Sequence, residues 1–200
     1  MSDDDHLIER RVASQQVYAG HFLDVRRDTV VLPDGRETIR EYIVHPGAVM
    51  VLALADDGRL VVERQWRYPL GRAMLEFPAG KIDAGEAPFE CAVRELAEET
   101  GYRADEWARA GALHNAIAYS DEVIEVWFAR GLTAGAQRLD DGEFLDVALA
   151  TADDLMAAAA RGELTDAKTL VGLLWLQNWR AGRWPLVWQG AAAAGAGDRP

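Results

Sequence analysis

The sequence predicts an α/β (α+β) fold, with a mixed β-sheet sandwiched between helices and an N-terminal antiparallel β-hairpin extension. Three observations lead there. Strand-like segments come in pairs, joined by Pro33-Asp34-Gly35 and Asp56-Asp57-Gly58, both hairpin-turn sequences. One amphipathic helix lies mid-chain, followed by more strands and then by two helices. Strands and helices do not alternate one for one, so a doubly wound sheet is not expected.

The elements follow in order. Residues 22–31 and 37–44 alternate in polarity around the first turn and form the hairpin. Residues 47–55 are a continuous apolar run, and 59–66 carry Leu60, Val61 and Val62 back across the second turn. His45-Pro46-Gly47 reads as a hinge, which makes 1–45 an N-terminal β extension and 46–188 the main domain. A helix is expected over 87–100, and strands over 122–129 and 143–149. Thr151 with Asp154 is a capping box that opens a helix over 155–161, with Gly162 as its stop. The last helix spans 166–180, with Leu170, Leu173, Leu174 and Trp175 expected to face inward. Residues 189–200, which end AAAAGAGDRP, read as a disordered tail.

Composition narrows the function. Two hundred residues, 50% of them apolar, suit one domain with an extension. With 33 acidic against 21 basic residues the formal charge is −12, which argues against nucleic-acid binding by phosphate neutralisation. Phosphates would have to be handled by metal or by a few placed arginines. A single cysteine, Cys91, excludes an internal disulfide and a thiolate metal site. The N-terminus MSDDDHLIERR is acidic where a signal peptide would be basic and then apolar, and no apolar run reaches membrane-spanning length. The expectation is a cytoplasmic protein that binds no membrane.

The mid-chain helix holds the chemistry. With Glu95 at zero on a helical wheel, Glu98 falls about 60° to one side and Glu99 about 40° to the other, so the three share a face. Phe89, Ala92, Val93, Leu96 and Ala97 fall opposite. Such a face is either solvated or a cation site, because clustered carboxylates repel and a hard divalent ion reverses that repulsion.

Spacing decides between the two. Gly80, five residues, Glu86, seven residues, Arg94-Glu95-Leu96, one residue, Glu98-Glu99, one residue, Gly101 is the pattern of the Nudix box. Chance occurrence anywhere in the chain is about 10⁻⁶ at average residue frequencies. The one departure is Tyr102, where the box carries an aliphatic residue.

The protein therefore resembles the Nudix hydrolases. Outside the box, His45-Pro46-Gly47-Ala48-Val49, Gln65-Trp66-Arg67, Leu75-Glu76-Phe77-Pro78-Ala79-Gly80, Ser120-Asp121-Glu122 and Gly162-Glu163-Leu164-Thr165-Asp166 resemble the ADP-ribose pyrophosphatase branch.

The resemblance implies hydrolysis of the pyrophosphate bond of a nucleoside diphosphate sugar or dinucleotide by water, with Mg²⁺, or Mn²⁺ in its place. It implies metal ligation by Glu95, Glu98, Glu99, Glu143 and the carbonyl of Ala79, with Glu86 bracing the loop. Arg94 orients a carboxylate of the site, and Asp141 takes the general-base position on a loop. Substrate contacts fall to Arg40, Arg67, Glu76 and Glu122. A homodimer is implied, in which the N-terminal extension swaps across a two-fold axis.

Members that prefer ADP-ribose carry a proline where this chain has Ala116, and no proline occurs between Pro88 and Pro185. ADP-ribose, cleaved to AMP and ribose 5-phosphate, thus stands beside NADH, diadenosine polyphosphates and GDP-mannose as substrate. A non-catalytic ADP-ribose sensor is the reading of another class, against which the full set of glutamates counts.

Overall fold

The structure is a computed structural model, and it describes residues 4–194. The described residues form two compact units, one of those up to Pro46 with 116–123 and the other of 47–115 with those from Ile124 on. The division falls after Pro46. Residues 116–123, expected in the main domain, belong to the first unit because Ile43 donates its N–H to the Tyr119 carbonyl (2.8 Å) and Asp121 takes the His45 N–H on Oδ1 (2.8 Å).

The first unit is a three-stranded antiparallel sheet in the order β1(Arg10–Ala19), β2(Asp24–Val31), β3(Glu37–Val44). The β2–β3 hairpin is the expected one, and Gly35 takes the positive φ of +86° that its turn needs. Strand β1 was not foreseen. Every one of its residues is exposed, so it has no buried face to leave a period-2 pattern in the sequence.

The second unit is built on β4(Ala48–Leu54), β5(Leu60–Arg67), β6(Arg72–Glu76), β7(Ala79–Lys81), β8(Tyr102–Leu113), β9(Ile124–Ala134), β10(Leu145–Ala150) and β11(Gln189–Gly190). Its sheet runs β10-β5-β4-β9-β8-β11, with β4 and β9 parallel and the other pairs antiparallel. Strands β4 and β5 pair only at Leu54 with Leu60 and then part. The opening is taken up by β7 along β4 and β6 along β5. That split places β6 and β7, which carry Glu76 and Ala79, inside the sheet.

One face of the sheet packs under α1(Pro88–Thr100) through Val49, Val51, Val61, Phe89, Ala92, Leu96 and Trp127. The other packs under α2(Ala152–Ala160) and α3(Ala167–Arg180) through Met50, Leu52, Phe77, Leu155 and Leu173. Phe89 meets Trp107 edge-on at 5.5 Å, an arrangement that adds to area burial. The cap of α2 is as expected, since Thr151 Oγ1 accepts the Asp154 N–H; at α3 the structure adds one, Asp166 accepting the Thr169 N–H.

Two inward assignments need correction. Leu173 and Leu176 are the buried leucines of α3, whereas Leu170 and Leu174 are exposed, because the helix rests on the row that includes Gly172 against Met50 and Phe77. On α1, Val93 is exposed and Glu99 is buried. The buried residues of α1 are Phe89, Cys91, Ala92, Leu96, Glu99 and Thr100, with Glu95 half-buried between Cys91 and Glu99, so the helix turns the Glu95–Glu99 side of its acidic face into the protein. Within the expected tail, Gln189–Gly190 pair with Glu106 and Trp107, and α4(Ala191–Ala194) follows; residues 195–200 lie outside the described residues.

Candidate active site

Glu99 lies at the centre of the site. It is 4% exposed, and its Oε2 accepts the N–H of Ala79 at 3.1 Å, which ties the last turn of α1 to β7. Glu95 lies one turn earlier, with its carboxylate against Gly80. A Cβ at Gly80 would overlap that carboxylate, so glycine is the residue that lets the helix carboxylate and the β7 backbone meet.

Arg94 organises the outer side of the site. Its Nε and Nη2 hold the two oxygens of Glu86 at 2.7 and 2.8 Å, and its Nη1 reaches Glu95 at 2.8 Å and Glu98 at 3.1 Å. Glu86 in turn accepts the N–H of Asp83 at 3.0 Å, so one guanidinium braces the loop and aims two carboxylates of the helix. The Arg94 hydrogen bond holds Glu86 down to about 2. Arg94 is raised in turn, chiefly by that same bond.

The loop after β9 is anchored to the end of α1. Arg138 donates its N–H to the Glu98 carbonyl (2.9 Å) and Gln137 Nε2 donates to the Glu99 carbonyl (2.6 Å). Further on, Glu143 accepts from Gln65 Nε2 at 3.2 Å, which brings it over β5, and its charge acts on Glu95, Glu99 and Glu63. Asp141 is exposed beside Gly142, whose φ is +87°.

Arg67 and Glu76 are brought together. Two parallel hydrogen bonds of 2.7 and 2.8 Å join them, and Lys168 Nζ also bonds Glu76 Oε2. Burial would raise the Glu76 carboxyl, but Arg67 and Lys168 prevail and hold it below its usual range. Asp166 takes the other bond of Lys168 at 3.0 Å, and Thr169 Oγ1 accepts the Phe77 N–H at 3.0 Å. The start of α3 is thereby fastened to the strand that leads into Ala79. Arg40 and Glu122 belong to the first unit, where Arg40 pairs with Glu9 at 2.5 Å and Glu122 lies 3.6 Å from His45.

Glu63 was not foreseen. It is fully buried, and neither carboxylate oxygen has a hydrogen-bond partner among the described residues. Its sequence signal is slight: one acidic residue directly after Leu60-Val61-Val62 in a strand whose start is wholly buried. Lys168 was missed as well, although lysine occurs in this chain at two positions only, Lys81 and Lys168.

Burial pushes Glu63 and Glu95 each up to about 7 and Glu99 up to about 10; nearby carboxylates add to it, Glu76 acting on Glu63, and Glu63 and Glu95 on Glu99. The uncompensated charge, the orphaned oxygens of Glu63 and an all-oxygen donor set fit a hard divalent cation. Among the described residues no three such donors are already gathered to hold one, since Arg94 draws Glu95 and Glu98 to itself.

A family model described as the NUDIX domain matches residues 44–171. The chain belongs to the Nudix hydrolases. A second model, the nucleoside diphosphate sugar hydrolase N-terminal domain, matches residues 9–43 of this Nudix chain. An ADP-ribose pyrophosphatase of Bacillus subtilis is 38% identical over 173 residues, which cover 86% of this chain and 94% of that protein. A methanol dehydrogenase activator of Bacillus methanolicus is 34% identical over 171 residues, covering 84% and 92%. The crystal structure of an ADP compounds hydrolase shares the Nudix fold at a TM-score of 0.78 and 23% identity, covering 88% of this chain and 95% of that one. Nudix hydrolases generally use divalent metal ions. No helix among the described residues is long and apolar enough to cross a membrane.

Proposed function

We propose that this Nudix hydrolase cleaves ADP-ribose to AMP and ribose 5-phosphate, with Mg²⁺ as its cation and Mn²⁺ as a substitute. The observation that carries the reading is the inward-facing acidic side of α1, held against Ala79 and Gly80. The B. subtilis relative, matched over 94% of its length, supports the choice of substrate.

Glu95, Glu98, Glu99, Glu143 and the Ala79 carbonyl are the ligands in this reading. When bound, a divalent cation neutralises pyrophosphate charge and makes water a better acid. Arg94 holds Glu95 and Glu98 side by side until the cation takes them, and holds Glu86 against the loop. Gln65 positions Glu143, and Asp141 accepts the proton of the attacking water. Arg67 receives phosphate oxygens with the part of its guanidinium that Glu76 does not use. Arg40 and Glu122 are substrate contacts in this reading. The chain works as a homodimer with the extension of residues 1–45 exchanged; exposed Val12, Val17, Tyr18 and Phe22 on that extension support this.

Ala116 favours a second substrate reading, because the proline of ADP-ribose-preferring members is replaced there. Turnover of ADP-ribose, NADH, diadenosine polyphosphates and GDP-mannose with Mg²⁺, with products separated by chromatography, tests both. The highest kcat/KM is expected for ADP-ribose. A higher value for another compound moves the specificity and leaves the glutamate chemistry in place. Binding without turnover of any compound would make the protein a sensor.

A further inference from the structure

Glu63 is a buried carboxylate that the hydrogen-bonding of the fold does not account for. It is 0% exposed, and both Oε1 and Oε2 lack a hydrogen-bond partner among the described residues. Buried polar groups are almost always satisfied, and an orphaned carboxylate in an apolar strand carries a large desolvation cost. The nearby cations do not answer it. Lys168 is bonded to Glu76 and Asp166, and Arg67 to Glu76.

Its place in β5 shows where it is aimed. Side chains alternate along a strand, so Val61, Glu63 and Gln65 share one side. Val61 packs with Phe89, Ala92 and Leu96 of α1, and Gln65 bonds Glu143. Glu63 lies between them, on the face that α1 covers with Glu95 and Glu99. Among the charges acting on Glu99, that of Glu63 is the largest. A structural role there would be served better by the valines and leucines that surround it, Val147 across the β10 pair and Leu149 beyond.

We propose that Glu63 is a further member of the cation site, a carboxylate that faces Glu99 from beneath and supplies one of its free oxygens to the divalent ion. The proposal rests on the divalent-cation reading above.

The test uses Mn²⁺ alone, titrated into the full-length protein and followed by the electron paramagnetic resonance signal of the free ion. Glu63→Gln keeps the shape and removes the charge; it is expected to weaken Mn²⁺ binding about tenfold or more, with an unchanged circular dichroism spectrum. Glu63→Met removes the orphaned group. It is expected to raise the Tm of the metal-free protein while abolishing most of the Tm gain that Mn²⁺ gives the wild type. Wild-type Mn²⁺ affinity and stoichiometry in both variants would overturn the role of Glu63 alone. Failure of the wild type itself to bind Mn²⁺ would overturn the cation reading and the proposal together.

Discussion

Arg94 and Glu86 are joined by two hydrogen bonds of 2.7 and 2.8 Å, a fork that leaves Nη1 of the same guanidinium for Glu95 and Glu98. A lysine can supply the charge, but its donors all sit on one nitrogen, which cannot grip both Glu86 oxygens and still reach Glu95 and Glu98 as the spread guanidinium does. Arg94→Lys should therefore lower kcat about 10- to 100-fold and weaken the response to Mg²⁺, with KM for substrate little changed. A variant that keeps wild-type kcat at low Mg²⁺ would show that the fork aims nothing of consequence.

Glu95→Gln and Glu99→Gln remove charge but no core volume. Each should cut kcat by about 100-fold or more at saturating Mg²⁺ while the thermal unfolding curve stays cooperative. Asp141→Asn should cost less than either. Steady-state kinetics of the three variants rank these contributions, and a greater loss for Asp141→Asn would mean that proton abstraction limits the rate more than metal ligation does.

Stability without metal should fall as the pH rises. Glu63 and Glu95 move from 4.5 to about 7 on folding, so between those values the folded chain holds protons that the unfolded chain has released. Their favourable contribution is complete below about pH 4.5 and is lost as the pH passes through about 7. Glu86 acts in the opposite sense. Its pairing with Arg94 contributes above about pH 4.5 and is lost only as the pH drops through about 2. Scanning calorimetry in EDTA should give a lower Tm at about pH 8 than at about pH 5.5; a rising Tm over that interval would contradict the burial of these carboxylates.

Arg67→Ala separates two roles. Loss of its fork leaves Glu76 with Lys168 alone and should lower Tm. Contact with a phosphate oxygen adds a second effect, a rise in KM of about tenfold. A drop in Tm with unchanged KM would confine Arg67 to the support of Glu76.

Gly80→Ala should lower activity more than stability, because the added methyl meets the carboxylate at the end of the flexible Glu95 side chain and must push it from its place. The loss of stability is expected to stay below the roughly 1–3 kcal/mol of core overpacking. Urea unfolding beside an activity assay gives both numbers, and an innocuous substitution would mean that Glu95 moves freely.

What was legible in the sequence is what is local. The turns at Gly35 and Gly58, the cap of α2 and the limits of α1 follow from a few neighbouring residues, and all stand in the structure. The box spacing likewise located Glu95, Glu98, Glu99 and Arg94, because a helix sets their relation without outside help. Glu63 was opaque because its burial comes from β10 on one side, β6 on another and α1 above. Strands β6 and β7 were opaque too, being short and defined by the gap into which they fit. The pairing of Arg67 with Glu76 could not be read either, since no local pattern tells a carboxylate that meets a substrate from one already held by the chain.

The parallel pairing of Ala48–Leu54 with the strand that begins at Ile124 has a consequence for the birth of the protein. One edge of an almost wholly apolar strand stays open until the chain has been made well beyond the acidic helix. Long-range pairing of this kind forms slowly, and an open apolar edge invites pairing with other chains. On the ribosome, where the N-terminal part emerges first, the interval between the appearance of β4 and that of β9 is the period of greatest risk of aggregation, and an excess of holding chaperone should raise soluble yield most when translation is slow.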